Sequence, residues 1–186
     1  MITNKNTTAQ IVARQIEFQK TMNTSYETMY LAFVEEMGEL TASFGFADWK
    51  KVERDEANIE IELADLAVFA INLEYYSDIP QVDQWLHLKL SNNDFAVVHN
   101  LIKLLSEHRF KDIYTYIFAY MPKLQEVIVA KQALNRLRQD YGYKEGTYKK
   151  MWGGLEDNTH LDQLYGRSLS YEDMYAELED IYKAIV

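Results

Sequence analysis

The sequence predicts an all-α protein, a helical bundle formed as one domain over residues 1–186. Three observations carry this. Only 7 Gly and 2 Pro occur among 186 residues, too little turn material for a β-sandwich or barrel. The hydrophobic residues, 48% of the chain, recur mostly at helical spacings. The length suffices to bury a core, and no repeat, low-complexity tract or interdomain linker interrupts it.

The elements follow in order. A first amphipathic helix runs from Thr8 to Asn23, with Ile11, Val12, Ile16 and Met22 on its apolar stripe. Ser25 is the N-cap of a second helix carrying Met29, Leu31, Phe33, Val34, Met37, Leu40 and Phe44, and Gly45 stops it. A third spans Asp55 to Ser77 and becomes apolar on nearly every face through Leu66–Ile71, the mark of a helix at the centre of a bundle. Shorter helices are expected over 81–90, 94–106 and 111–120. Pro122 is expected in the first turn of the next, which reaches Tyr141 before Gly142. Residues 142–158 hold four of the seven glycines and read as loop. Ser170, with Asp173 three residues on, caps a last helix that runs to the C-terminus.

Composition excludes several functions. With 29 acidic and 19 basic residues the net charge is −10, which argues against nucleic-acid polymers as partners. A small phosphate ligand stays open, because carboxylates hold metal ions that in turn hold phosphates. Without cysteine there is no disulfide, thiolate zinc site or cysteine nucleophile. The first residues, Met1 to Asn6, lack a signal-peptide core, and no apolar run approaches the roughly 18 residues of a membrane span. The expectation is a cytoplasmic protein without a membrane partner.

Two carboxylate pairs stand out, Glu36 with Glu39 and Glu62 with Asp65. Spacing i, i+3 sets the members of each pair on one helix face, roughly 4.5 Å apart along the axis. Solvated surface faces would be the simpler reading, but Met37, Leu40, Leu63 and Leu66 interleave the pairs. Carboxylates beside a core must be paired, protonated or metal-bound. If the second and third helices pack antiparallel, four carboxylates converge, and oxygen-only ligation favours Mg²⁺ or Mn²⁺.

A basic counterpart lies in residues 131–150, where Lys131, Arg136, Arg138, Lys144, Lys149 and Lys150 outnumber Asp140 and Glu145. Tyrosines 141, 143 and 148 interleave it. Alone it reads as a basic helix end meeting its own dipole. Beside a metal site it reads as a phosphate clamp.

The stretch Phe33-Val34-Glu35-Glu36-Met37-Gly38-Glu39-Leu40, then Asp48-Trp49-Lys50 and Glu62-Leu63-Ala64-Asp65, resembles the metal-binding helices of the all-α NTP pyrophosphohydrolase superfamily, MazG-like enzymes included. The segment from Ala133 to Lys150, with Trp152 and Glu156-Asp157-Asn158, is similar to the C-terminal signature of the dimeric dUTPases. The resemblance is strongest over 19–70 and 131–158, and it implies a bundle of that type with metal-binding helices over 25–77 and a phosphate-binding segment over 131–158. It implies hydrolysis of dUTP, and of dUDP, to dUMP, with two or three Mg²⁺ ions held by Glu36, Glu39, Glu62 and Asp65. Glu39 also matches the carboxylate that activates water. Gln19 and Asn23, one turn apart on the first helix, match residues lining the uracil pocket. Trp49 matches its aromatic wall and Asn135 an amide that contacts the base. Lys131, Arg138, Tyr143, Lys144 and Lys149 match the phosphate-binding signature. The family also implies a homodimer, with a later segment that closes over substrate.

One position departs: Val68 stands where some members carry a His near the base. That leaves open a related pyrophosphohydrolase with another base preference, such as dCTP or a modified nucleotide. A helical interaction module without turnover is the alternative from another class, though it would need neither carboxylate pairs nor a basic signature. Asn72 reads equally as a support for the acidic stripe or a satisfied core amide. Trp49 and Trp152 could be packing residues, and the four His share no ligand spacing.

Overall fold

Helix caps written in the sequence delimit most elements of this computed structural model, which describes residues 6–46, 53–77 and 93–186. Seven α-helices occur among them: α1 (Thr8–Lys20), α2 (Tyr26–Ser43), α3 (Glu56–Tyr76), α4 (Asp94–Ser106), α5 (Phe110–Tyr120), α6 (Leu124–Asp140) and α7 (Tyr171–Ile185). Ser25, Asp55, Asn93 and Ser170 accept backbone N–H groups at the starts of α2, α3, α4 and α7. The helix expected over 81–90 lies outside the described residues.

The chain divides into two compact units. One is Gln15–Leu124. In it α2 packs along α3, α3 against α5, and α5 against α4. The α2–α3 pair is antiparallel: Asp55 N donates to Ser43 O at 2.9 Å at one end, and Asn72 Nδ2 meets Met29 Sδ near the other. Phe33, Leu40, Ile59, Leu63, Leu66 and Ile71 are fully buried, so the continuous apolar run of α3 is explained by its central place.

The other unit joins Met1–Arg14 to Gln125–Val186. Its core forms around fully buried Trp152, with Ala133, Leu134, Leu137, Leu161 and Leu178. Gln132 Nε2 donates to Ile11 O at 2.9 Å and Asn6 Nδ2 to Leu169 O at 3.0 Å, tying the N-terminal residues in.

Three expectations are corrected. The first helix ends at Lys20, not Asn23: Thr21 and Met22 donate three residues back, to Phe18 and Gln19, and the backbone then extends into the Ser25 cap. Asn23 is therefore an exposed residue between α1 and α2. Pro122 precedes α6 rather than entering it, because Leu124 N bonds to Met121 O and closes a turn with the proline inside. The glycine-rich loop also contains a short antiparallel hairpin, β1 (Met151–Trp152) and β2 (Leu155–Glu156), followed by a 3-10 helix over Asp157–Gln163. Gly153 and Gly154 both take positive φ, as a two-residue hairpin turn requires.

Candidate functional site

Antiparallel packing of α2 on α3 brings Glu36 of α2 to Glu62 and Asp65 of α3. Each offers a carboxylate oxygen, and these lie within 4.8 Å of one another. Glu62 is 6% exposed and the other two half-buried. Burial, a hydrogen bond to Glu62 and the charges of Asp65, Glu62 and Glu39 push the Glu36 carboxyl up to about 8. Three acids that cannot all ionise comfortably are a donor set suited to a hard divalent cation. Glu39 stands one turn further along α2, exposed and outside that group of three, though its charge is felt by Glu36.

Gln19 is only 3% exposed. Its Nε2 donates to Thr24 Oγ1 and, at 2.9 Å, to the hydroxyl of Tyr76 at the end of α3. Tyr76 is eleven residues beyond Asp65, about 16 Å of helix rise, so Gln19 is not part of the carboxylate group. Asn72 is a satisfied core amide: its Oδ1 accepts from Gln15 Nε2 at 3.0 Å. Val68 is buried. Trp49 lies outside the described residues.

In the other unit, α6 carries buried Lys131 and, one and two turns on, Asn135 and Arg138. Arg138 grips Asp157 with two parallel bonds of 2.8 Å, from Nε and from Nη2. Its Nη2 also reaches Asn158 Oδ1 at 3.5 Å, and Nη1 donates to Asn135 Oδ1 at 3.1 Å. Among the described residues these four bonds engage Nε, both hydrogens of Nη2 and one of Nη1. Asp157 is fully buried. Burial opposes its ionisation, yet Arg138, the Tyr148 hydroxyl at 2.8 Å and the Asn158 N–H hold its carboxyl below the usual carboxylate range. The α6 terminus is a Schellman turn in which Tyr143 N donates to Arg138 O at 2.8 Å and Gly142 N to Gln139 O. Tyr143, Lys144 and Lys149 follow on exposed chain, Tyr143 with its ring facing the Arg138 guanidinium at 6.0 Å.

A dUTPase family model matches residues 1–143, more than three quarters of the chain. The chain belongs to the dimeric, all-α dUTPase family. Its activity is accordingly that of a dUTP diphosphatase, a hydrolase acting on a nucleotide. The sequence matches no curated protein. Members of the dUTPase family use divalent metal, and Glu36, Glu62 and Asp65 are the group among the described residues with ligand atoms close enough to hold it. No helix among the described residues is long and apolar enough to cross a membrane.

Residue-by-residue reading of this dUTPase missed Asp157, Tyr148, Thr24 and Tyr76 as partners of candidate site residues. Asp157 and Tyr148 lie within the very segment that carries the family signature, and an acid so near six bases was a usable signal. Tyr76 left none: nothing in a tyrosine at the end of an apolar helix announces a glutamine 57 residues away.

Proposed function

We propose that this dUTPase hydrolyses dUTP, and also dUDP, to dUMP in a Mg²⁺-dependent reaction that Mn²⁺ also supports. The observation that carries the reading is the convergence of Glu36, Glu62 and Asp65, with Glu39 one turn away. These four carboxylates would hold the ions. Bound there, divalent cations would offset phosphate charge and make water easier to deprotonate.

The residues of the chain then have distinct tasks. Glu39, exposed at the edge of the group, takes a proton from the attacking water. The water oxygen bonds to the β-phosphorus as its phosphoanhydride bond to the α-phosphate breaks, dUMP leaves with the electron pair, and the water oxygen ends in pyrophosphate from dUTP or in phosphate from dUDP. The resemblance points to attack at the β-phosphorus. Lys131, Tyr143, Lys144, Lys149 and the remaining Nη1 hydrogen of Arg138 receive phosphate oxygens. Gln19, Asn23, Trp49 and Asn135 receive the uracil. Asp157 and Tyr148 hold Arg138 in place and so act on substrate through it. The working form is a homodimer within the cytoplasm, and the whole chain acts as one all-α dUTPase domain.

The test is turnover of dUTP, dUDP, dCTP, dTTP, UTP and dATP with and without Mg²⁺, reading phosphate and pyrophosphate separately. Activity on dUTP and dUDP that disappears in chelator is expected. A preference for dCTP would instead assign this chain another base, and undiminished turnover in chelator would remove the metal. Glu39→Gln is expected to lose at least about a hundredfold in kcat while the helical circular dichroism is kept. Near-normal turnover would exclude Glu39 as the base.

A further inference from the structure

Gln19, Thr24 and Tyr76 form a closed triangle. Gln19 Nε2 is within hydrogen-bond distance of both hydroxyls, and the hydroxyls are 3.0 Å from each other. The number of hydrogens available decides which way the Gln19 amide points. With Nε2 inward, the amide contributes two hydrogens and each hydroxyl one, enough for all three contacts. With Oε1 inward, only the two hydroxyl hydrogens remain for three contacts, and one edge becomes a lone-pair collision. The triangle therefore fixes Nε2 inside and Oε1 outside.

Oε1 makes no hydrogen bond among the described residues, and it is not a sealed orphan, since no buried side-chain nitrogen or oxygen among them lacks a partner. It therefore keeps some solvent exposure, although the residue as a whole is only 3% exposed. An acceptor held in that way, with its donor end committed elsewhere, suits a ring N–H and rejects a ring nitrogen bearing a lone pair.

We infer that Thr24 and Tyr76 are positioning residues that lock the Gln19 amide with Oε1 outward, so that it selects an imide N3–H, as in uracil, over the bare N3 of cytosine. This rests on the reading that Gln19 lines the base pocket. Tyr75, edge-on to Tyr76 at 5.1 Å, steadies the ring. Removing either hydroxyl opens the triangle, and a single remaining contact is satisfied by either amide orientation. The device is blind to the methyl group of thymine, whose imide is the same.

The experiment measures kcat/KM for dUTP, dCTP and dTTP in Tyr76→Phe, Thr24→Val, Thr24→Ser and Gln19→Ala. Tyr76→Phe and the isosteric Thr24→Val are each expected to lower the dUTP:dCTP ratio about tenfold or more, leaving dUTP:dTTP unchanged. Thr24→Ser, which keeps the hydroxyl, is expected to retain the ratio. An unchanged dUTP:dCTP ratio in both hydroxyl variants overturns the inference, as does a parallel fall in dUTP:dTTP, which marks general loosening. The base-pocket reading fails separately: it falls if Gln19→Ala leaves both the dUTP KM and the dUTP:dCTP ratio unchanged. If Gln19→Ala moves the ratio while Tyr76→Phe and Thr24→Val do not, only the positioning role is lost.

Discussion

Arg138 shows how much a side chain's partners change what it can be asked to do. Counted in the sequence it is one of six bases in the segment 131–150; in the fold it spends two of its five donor hydrogens on a carboxylate with no exposure to solvent. Breaking such a pair from one side leaves the other charge buried and unanswered. Asp157→Ala is therefore expected to destabilise the protein by about 3–5 kcal/mol, read from urea unfolding. Asp157→Asn keeps the volume but loses the charge, and its activity separates the two roles: a specific loss in dUTP turnover at full folding marks Arg138 as substrate-directed. Glu36 is the opposite case, an acid surrounded by acids. Its raised value means that the folded protein binds a proton there which the unfolded chain releases at lower pH. The stability it contributes without divalent ions is present below about pH 4.5 and lost as pH rises through about 8. Thermal unfolding in chelator is expected to reveal this slope, and Glu36→Gln to flatten it.

Among the elements, α3 joins structure to chemistry. It buries Ile59, Leu63, Leu66, Ala67 and Ile71 around its circumference and still presents Glu62 and Asp65 to α2. Leu63→Ala is expected to cost about 2–5 kcal/mol, measured by chemical denaturation, and to blunt metal binding by letting α2 and α3 separate. The turn after α6 is equally constrained. Gly142 has φ +81°, and a Cβ there would stand 2.0 Å from Thr147 Oγ1. Gly142→Ala is expected to destabilise by about 1–3 kcal/mol and to displace the Tyr143–Lys149 segment, seen as a raised KM for dUTP. The hairpin of β1 and β2 was signalled by its Gly-Gly pair, but two residues per strand are too few for any alternation to show.

For the whole molecule, the charge of −10 conceals a division: six acids and one base over residues 53–65, six bases and two acids over 131–150. A polyanion is repelled on average, and under the proposed function cation binding at the carboxylates is what offsets that repulsion. Ligand linkage then gives an expected outcome: Mg²⁺ raises the unfolding midpoint with concentration, more steeply at pH 8 than at pH 5, and Glu62→Gln removes the effect. Sedimentation at micromolar concentration tests the homodimer, and a monomer that turns over dUTP at full rate would remove it.

By itself the sequence determined the all-α class, the caps at Ser25 and Ser170, the place of α3 and the two carboxylate pairs, because caps and helical periodicity are local and repeat over many residues. It also carried the family resemblance, and the match over residues 1–143 bears that out. Only the tertiary structure decided that Glu36 meets Glu62 and Asp65 while Glu39 stands aside, that Arg138 is held by Asp157, and that Gln19 is locked by Thr24 and Tyr76. These are contacts between residues 5 to 57 positions apart whose existence depends on interhelical register and on the count of hydrogens at a shared point, neither of which any single segment contains.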